Sequence, residues 1–222
     1  AHDERDVEFA TKYGIPLKET VEPLVVRSAG VDSWREGESY VDRPAVIAIV
    51  KRAVDGKFLC IRYRPTSTNE FVSGGIEAGE SKTDAALREI REETGYTDLA
   101  CIRELGRPIH SKYYSLLRKT NTIGHYTPLL FELKSDARVE VSQDEAARHE
   151  VCWLTEDEVE PFLNRDDYRA VWRCYQNRPY TGQGIIFDSE EFSGMTSEEA
   201  IPLVGAKFGR ITKTYKLRDW VV

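Results

Sequence analysis

An α/β (α+β) fold is the class this 222-residue sequence predicts for its middle, about residues 43–178, with extensions on both sides. Three observations predict it. Two apolar runs flank Asp55-Gly56 in "AVIAIVKRAVDGKFLCIRY", a strong hairpin signal because both turn residues tolerate positive φ. Residues 82–94 repeat at helical spacing, with Ala85, Ala86 and Ile90 as a small apolar face. Further strand-like and helix-like segments then follow in mixed order.

In chain order, "ERDVEFATKYG" reads as a short helix ending at Gly14, and "PLVVRS" as an extended piece; together they form an N-terminal flank, 1–27. Residues 29–43 are polar and turn-rich, a linker or irregular approach. "NEFVSGG" is a short strand running into a glycine loop. "ACIRELGRPIHS", "TIGHYTPLLFELKS" and "VCWLT" read as strands, and "TEDEVEPFLNRDDYRAVWRCYQN" as one or two helices, opened by a capping box at Thr155 and Glu158. The texture changes near Gly184. A C-terminal flank, 181–222, holds a strand, a helix opened by Thr196 or Ser197, and a final strand in "ITKTYKLRDWVV".

Composition narrows the class. With 41% hydrophobic and 31% charged residues, the chain is that of a soluble globular protein. No run of 18 apolar residues occurs, so no membrane partner is expected. Cys60, Cys101, Cys152 and Cys174 form no CxxC pair, which points to free thiols in a reducing cytoplasm rather than zinc or disulfides. The charged start is no signal peptide, and the absence of Met at position 1 implies a chain processed or cut from something longer. A net charge of −7 argues against nucleic-acid binding by the whole surface, although Lys112, Arg118 and Lys119 could form a local basic patch.

Chemistry concentrates in "GGIEAGESKTDAALREIREETGY". Glu89 lies three residues from Glu92 and four from Glu93, so all three share one helix face and repel by a few tenths of a kcal/mol per pair, roughly. A hard divalent cation would reverse that sign. Gly74, Gly75 and Gly79 let the preceding loop turn tightly, and Gly95 stands where a helix-ending glycine belongs. "REIREE" alone would pass for a solvated acidic helix. The whole spacing does not: Gly74, five residues, Glu80, seven residues, Arg88-Glu89-Ile90, one residue, Glu92-Glu93, one residue, Gly95, then bulky Tyr96.

That spacing resembles the Nudix box, the signature of the Nudix hydrolases. Tyr96 departs from the usual aliphatic residue, and Val72-Ser73 from the Pro-Gly that often precedes the box. The resemblance implies the Nudix fold, a mixed sheet between helices, with the box as loop–helix–loop. It also implies Mg²⁺- or Mn²⁺-dependent hydrolysis of a nucleoside diphosphate linked to another group. By position, Glu92 and Glu93 would be principal metal ligands, Glu89 a ligand or the general base, and the main-chain carbonyl of Ser73 a further ligand. Arg88 would partner the box carboxylates, Glu77 included, and Glu80 would order the loop. Many members add an acidic residue on a later loop. "SQDEAARHEVCW" offers Asp144, Glu145 and Glu150, of which Glu150, just before the strand of Trp153, is the expected catalytic carboxylate, able to take a proton from water.

Other residues carry less. His110 and His125 are expected to be packed or hydrogen-bonded. Tyr113 and Tyr114 could stack on a base but are better read as core or surface tyrosines. No Walker loop or GxGxxG occurs.

The flanks hold a second resemblance. "AHDERDVEFATKYGIPL" and "GIIFDSEEFSGMTSEEA" with "TYKLRDWVV" look like parts of the editing domain of leucyl-tRNA synthetase, over 1–26 and 181–222. This implies a Nudix domain inserted in that editing domain, with Asp6 matching the aspartate that holds the amino acid's α-amino group, and Asp3 and Arg5 nearby. The threonine-rich half of the editing site and the ligase motifs are absent, so the fragment should neither charge nor edit tRNA. tRNA stays open as a partner through the parent synthetase. The rival reading is a non-catalytic module of the editing domain that contacts tRNA.

Overall fold

Six consecutive apolar residues, Ala45 to Val50, lie at the centre of the computed structural model, which describes residues 4–209. All six are at most 1% exposed. They belong to a long strand whose two faces are both covered, which is why the run is continuous rather than alternating.

The chain opens with helix α1 (Glu4–Tyr13), ended by Gly14 at φ +63°, and strand β1 (Val21–Val26). Strands β2 (Tyr40–Arg52) and β3 (Phe58–Tyr63) form the expected hairpin. Its loop is longer than a two-residue turn: Arg52 N–H donates to Lys57 O, and Gly56 takes positive φ while Asp55 does not. Short β4 (Thr68–Glu70) and β5 (Val72–Gly75) lead into helix α2 (Lys82–Thr94). Strands β6 (Leu99–Glu104), β7 (Ile109–Ser115) and β8 (Thr120–Leu133) follow. Helix α3 (Gln143–Arg148), which the sequence reading treated as loop, runs straight into β9 (His149–Leu154). Two helices close this part, α4 (Glu156–Phe162), opened by the Thr155–Glu158 capping box, and α5 (Asp166–Tyr175). Strand β10 (Gly184–Ile186) and helix α6 (Ser197–Phe208), capped by Thr196, end the described chain. Asp3 and the expected strand in "ITKTYKLRDWVV" lie outside the described residues.

The main sheet path is β10-β1-β7-β8-β2-β3-β4, with β5 on β2, β6 on β8 and β9 on β3. It is mixed: β2 runs parallel to β8 over its whole length, whereas β3 and β5 are antiparallel to β2. Alternation along β2 sorts the core in two. Ala45, Ile47 and Ile49 face Val159, Leu163, Val171 and Trp172 of the α4–α5 side. Val46, Ala48 and Val50 face Ala85, Ala86 and Ile90 of α2. The flanks join this sheet through β1, which pairs with β10 antiparallel and with β7 in parallel.

All four cysteines are free. Among the described residues, no helix is long and apolar enough to cross a membrane.

Candidate active site

The glycine loop and α2 place the glutamates. Ser81 caps α2, its hydroxyl accepting from Asp84 N–H, and Gly95 ends it at φ +80°. Ala85, Ala86 and Ile90 press the helix onto the sheet; helical spacing puts Glu89 and Glu93 on that same side, 16% and 13% exposed, with Arg88 and the more exposed Glu92 at its edge. A Cβ at Gly74 would fall on the Glu89 carboxyl, so only glycine leaves that side chain its place against β5.

Arg88 organises the loop. Its Nε and Nη2 donate to the two Glu80 oxygens at 2.9 and 3.1 Å, and Nη2 also reaches the Gly75 carbonyl at 2.8 Å. Its Nη1 donates to Glu89 at 2.8 Å and to Glu92 at 3.4 Å. Such a two-pronged guanidinium contact fixes geometry as well as charge. Glu80 in turn accepts from Glu77 N–H at 3.0 Å. The expected side-chain pairing of Arg88 with Glu77 is corrected: Glu77 is exposed and enters the network through its backbone. Arg88 holds the Glu80 carboxyl below the usual range.

The carboxylates beyond Arg88 are differently placed. A cleft of about 310 Å³ is lined by Glu89, Glu92 and Glu93 together with Glu70, Glu145 and His149. Glu93 is pushed well above the usual carboxylate range by burial and then by its acidic neighbours Glu70, Glu89, Glu145 and Glu92. Burial also raises Glu89, against the pull of Arg88. Glu70 is pushed up to about 8 by burial, although a hydrogen bond from Tyr168 works the other way. Buried carboxylates of one sign are costly to ionise unless a cation shares their oxygens.

Among the described residues, no three Asp, Glu, His or Cys side chains are already gathered round one point. The side-chain donors in the cleft are nonetheless carboxylate oxygens, the set that suits Mg²⁺ or Mn²⁺, and Arg88 now supplies the positive charge to two of them. The donor set fits such an ion. Ser73 lines the same cleft, with its hydroxyl 2.9 Å from Tyr168 Oη.

Glu150 is not brought to this cleft. It pairs in register with Arg62 on β3, and its carboxylate lies 3.5 and 3.6 Å from Arg62 and Arg64. Strand alternation is the reason: on β9, His149, Val151 and Trp153 share the α2 face, and Glu150 points the other way. Glu145, one turn earlier on α3, does line the cleft. Glu70 was missed altogether, since it belongs to no motif and reaches the site only through the pairing of β4 with β3.

The remaining candidates fall elsewhere. Tyr113 and Tyr114 line the cleft, but guanidinium groups lie over their rings, Arg27 at 4.9 Å and Arg35 at 3.2 Å from the centroids. His110 and His125 bond one another at 2.8 Å through Nδ1, with Glu22 and Asp42 on their outer nitrogens at 2.9 and 2.8 Å. Asp6 is exposed on α1, away from the cleft lining. Tyr96, the aromatic departure in the box, is 1% exposed, and its hydroxyl accepts from Trp153 Nε1 at 3.0 Å and from Arg138.

The chain is 28% identical over 176 residues to the 8-oxo-(d)GTP phosphatase of Mycolicibacterium smegmatis, covering 78% of this chain and 49% of that protein. A shorter match, 34% over 97 residues, is to the leucine–tRNA ligase of Paracoccus denitrificans, covering 43% of this chain and 9% of the ligase. The chain thus spans about half the length of the first relative and a tenth or less of the second. Among solved structures, the C. elegans Ap4A hydrolase covers 62% of this chain and 98% of its own at a TM-score of 0.46 and 17% identity. The family model described as the NUDIX domain matches residues 41–174, more than half the chain, and this protein belongs to the Nudix hydrolase family.

Proposed function

We propose that the cleft hydrolyses a nucleoside diphosphate linked to another group, with Mg²⁺ or Mn²⁺. The observation that carries this is the convergence of Glu89, Glu92 and Glu93 with Glu70 and Glu145 on one cleft beside the glycine loop. An acidic cleft rejects a pyrophosphate unless metal ions lie between them. Glu92, Glu93 and Glu89 would hold the metal, with the Ser73 carbonyl as a further ligand. When bound, the ion neutralises phosphate oxygens and makes water a better nucleophile.

The protein's own residues do the rest. Arg88 holds Glu89 and the loop in place. Glu145 takes the role first given to Glu150, accepting the proton of the attacking water. Water oxygen bonds to phosphorus, the bridging P–O bond breaks, and the products are a nucleoside monophosphate and the phosphorylated partner group. The name of the mycobacterial relative suggests a nucleoside triphosphate as one substrate to try.

We also read the chain as a Nudix domain carried in the editing domain of a leucyl-tRNA synthetase, in the cytoplasm, with tRNA met through the parent chain. The pairing of β1 with β10 supports this reading, because an inserted domain must return its chain beside the point of entry.

The test is a panel of nucleoside diphosphate derivatives with Mg²⁺ and with Mn²⁺, on wild type and on Glu92→Gln with Glu93→Gln. Metal-dependent turnover that falls at least about 100-fold in the double variant is expected. No turnover with either metal in folded wild type would transfer the case to the non-catalytic tRNA-contacting module.

A further inference from the structure

His149 lines the cleft but has no part in the chemistry above. It opens β9 immediately after α3, and its side chain is only 6% exposed. The ring stacks on Tyr63 with centroids 5.1 Å apart and lies between two carboxylates. Nδ1 is 3.0 Å from Glu145 Oε2, and Nε2 is 3.9 Å from Glu93 Oε1. Yet Nδ1 has no partner in hydrogen-bond geometry, since the Glu145 oxygen lies off its line. A buried nitrogen left in that state is destabilising, since it has given up water for no partner.

Glu145 N–H donates to Ser142 Oγ at 3.2 Å, and its carbonyl accepts from His149 N–H at the end of α3. Both ends of Glu145 are therefore fixed, and its carboxylate sits between two donors, Arg148 Nη1 3.5 Å from Oε1 and His149 Nδ1 3.0 Å from Oε2. At 3.0 Å the distance to Nδ1 is already that of a hydrogen bond, and only the angle falls short.

We propose that His149 is a positioning residue: as its Nδ1–H tautomer it donates to Glu145 and holds that carboxylate toward the attacking water, leaving Nε2 bare beside Glu93. This rests on the reading of Glu145 as the proton acceptor. The tautomer follows from the partners. A carboxylate oxygen only accepts, so Nδ1 must carry hydrogen. A second hydrogen at Nε2 would make a buried imidazolium and would occupy a Glu93 oxygen that the metal needs.

Three variants separate this from a merely structural role. In H149N the amide nitrogen stands near the position of Nδ1, in H149Q near that of Nε2, and H149F keeps the ring and its stack on Tyr63 without either nitrogen. With a substrate that wild type turns over, H149Q and H149F should lose about 10- to 100-fold in kcat with KM within about threefold, while H149N stays within about fivefold of wild-type kcat. Wild-type kcat in H149F, or H149Q outperforming H149N, would overturn the proposal. A second measurement needs no turnover: ¹⁵N–¹H correlation spectra of histidine-labelled protein, with and without Mg²⁺, using H149N to assign the signal. A protonated Nδ1 is expected, and a protonated Nε2 with bare Nδ1 overturns the proposal. Absence of turnover in wild type would instead sink the hydrolase reading and leave the spectra to judge the tautomer.

Discussion

Glu70 sets a pH dependence at the scale of single residues. Its folded pKa, pushed up to about 8 by burial, stands above the ordinary value of 4.5. Between those values the unfolded chain releases the Glu70 proton and the folded chain keeps it, so metal-free stability should fall as pH rises from about 4.5 to about 8 and then level off. Glu93, raised by the same burial, adds in the same direction. Urea unfolding at pH 5 and pH 8 checks this, and Glu70→Gln should flatten the fall. A stability that rises over that window, or a slope untouched by the variant, refutes it. The sequence could not show Glu70, whose place depends on a strand pairing. It did offer Glu145 and Glu150 together. Parity along "HEVCW" separates them, because Trp153 and Val151 share the face of His149 and exclude Glu150 from it.

At the scale of elements, the box was legible because it is local. A cap, a 3.6-residue face and a terminal glycine lie within 23 residues, and α2 spans the predicted 82–94. What lay beyond reach was the company that helix keeps. Gly95 shows the difference: sequence explains it as a helix end, but the structure also packs it on the 137–139 segment. Val139 N–H donates to its carbonyl at 2.9 Å, and a Cβ there would meet Val139 O at 2.5 Å. Gly79 has similar φ, +82°, with nothing within 4 Å. Gly95→Ala should therefore cost about 2–4 kcal/mol, strain plus collision, and Gly79→Ala about 1–2 kcal/mol from strain alone. Thermal unfolding of the pair decides it. Equal losses would mean that the contact with Val139 yields freely.

At the scale of the whole molecule, the N-terminal flank is tied into the Nudix sheet by buried charge as well as by hydrogen bonds between strands. Arg27, at the end of β1, meets Asp32 of the polar approach and Asp167 of α5, and their side chains are 13%, 5% and 3% exposed. Arg165 joins Asp32 at 3.0 Å, and Ser111 of β7 donates to Asp167 at 2.9 Å. The sequence presented 29–43 as a linker because its residues are polar, yet Asp32 is among the most buried polar groups. Polarity signals a loop only where no partner waits; Arg27 is five residues from Asp32, but Arg165 is 133 residues away, and Asp167 lies 140 from Arg27. Removing one member of a buried charge network strands the others, at about 3–5 kcal/mol, whereas removing opposed members together costs less. Arg27→Met, which keeps the apolar stem, should therefore lower stability by about 3–5 kcal/mol, and adding Asp167→Asn should restore part of it. Urea unfolding should remain a single transition in wild type, because flank and core share one sheet and one network. If Arg27→Met unfolds within about 1 kcal/mol of wild type, or if the wild-type flank melts before the core, the flanks are appendages, and the Nudix domain owes them nothing.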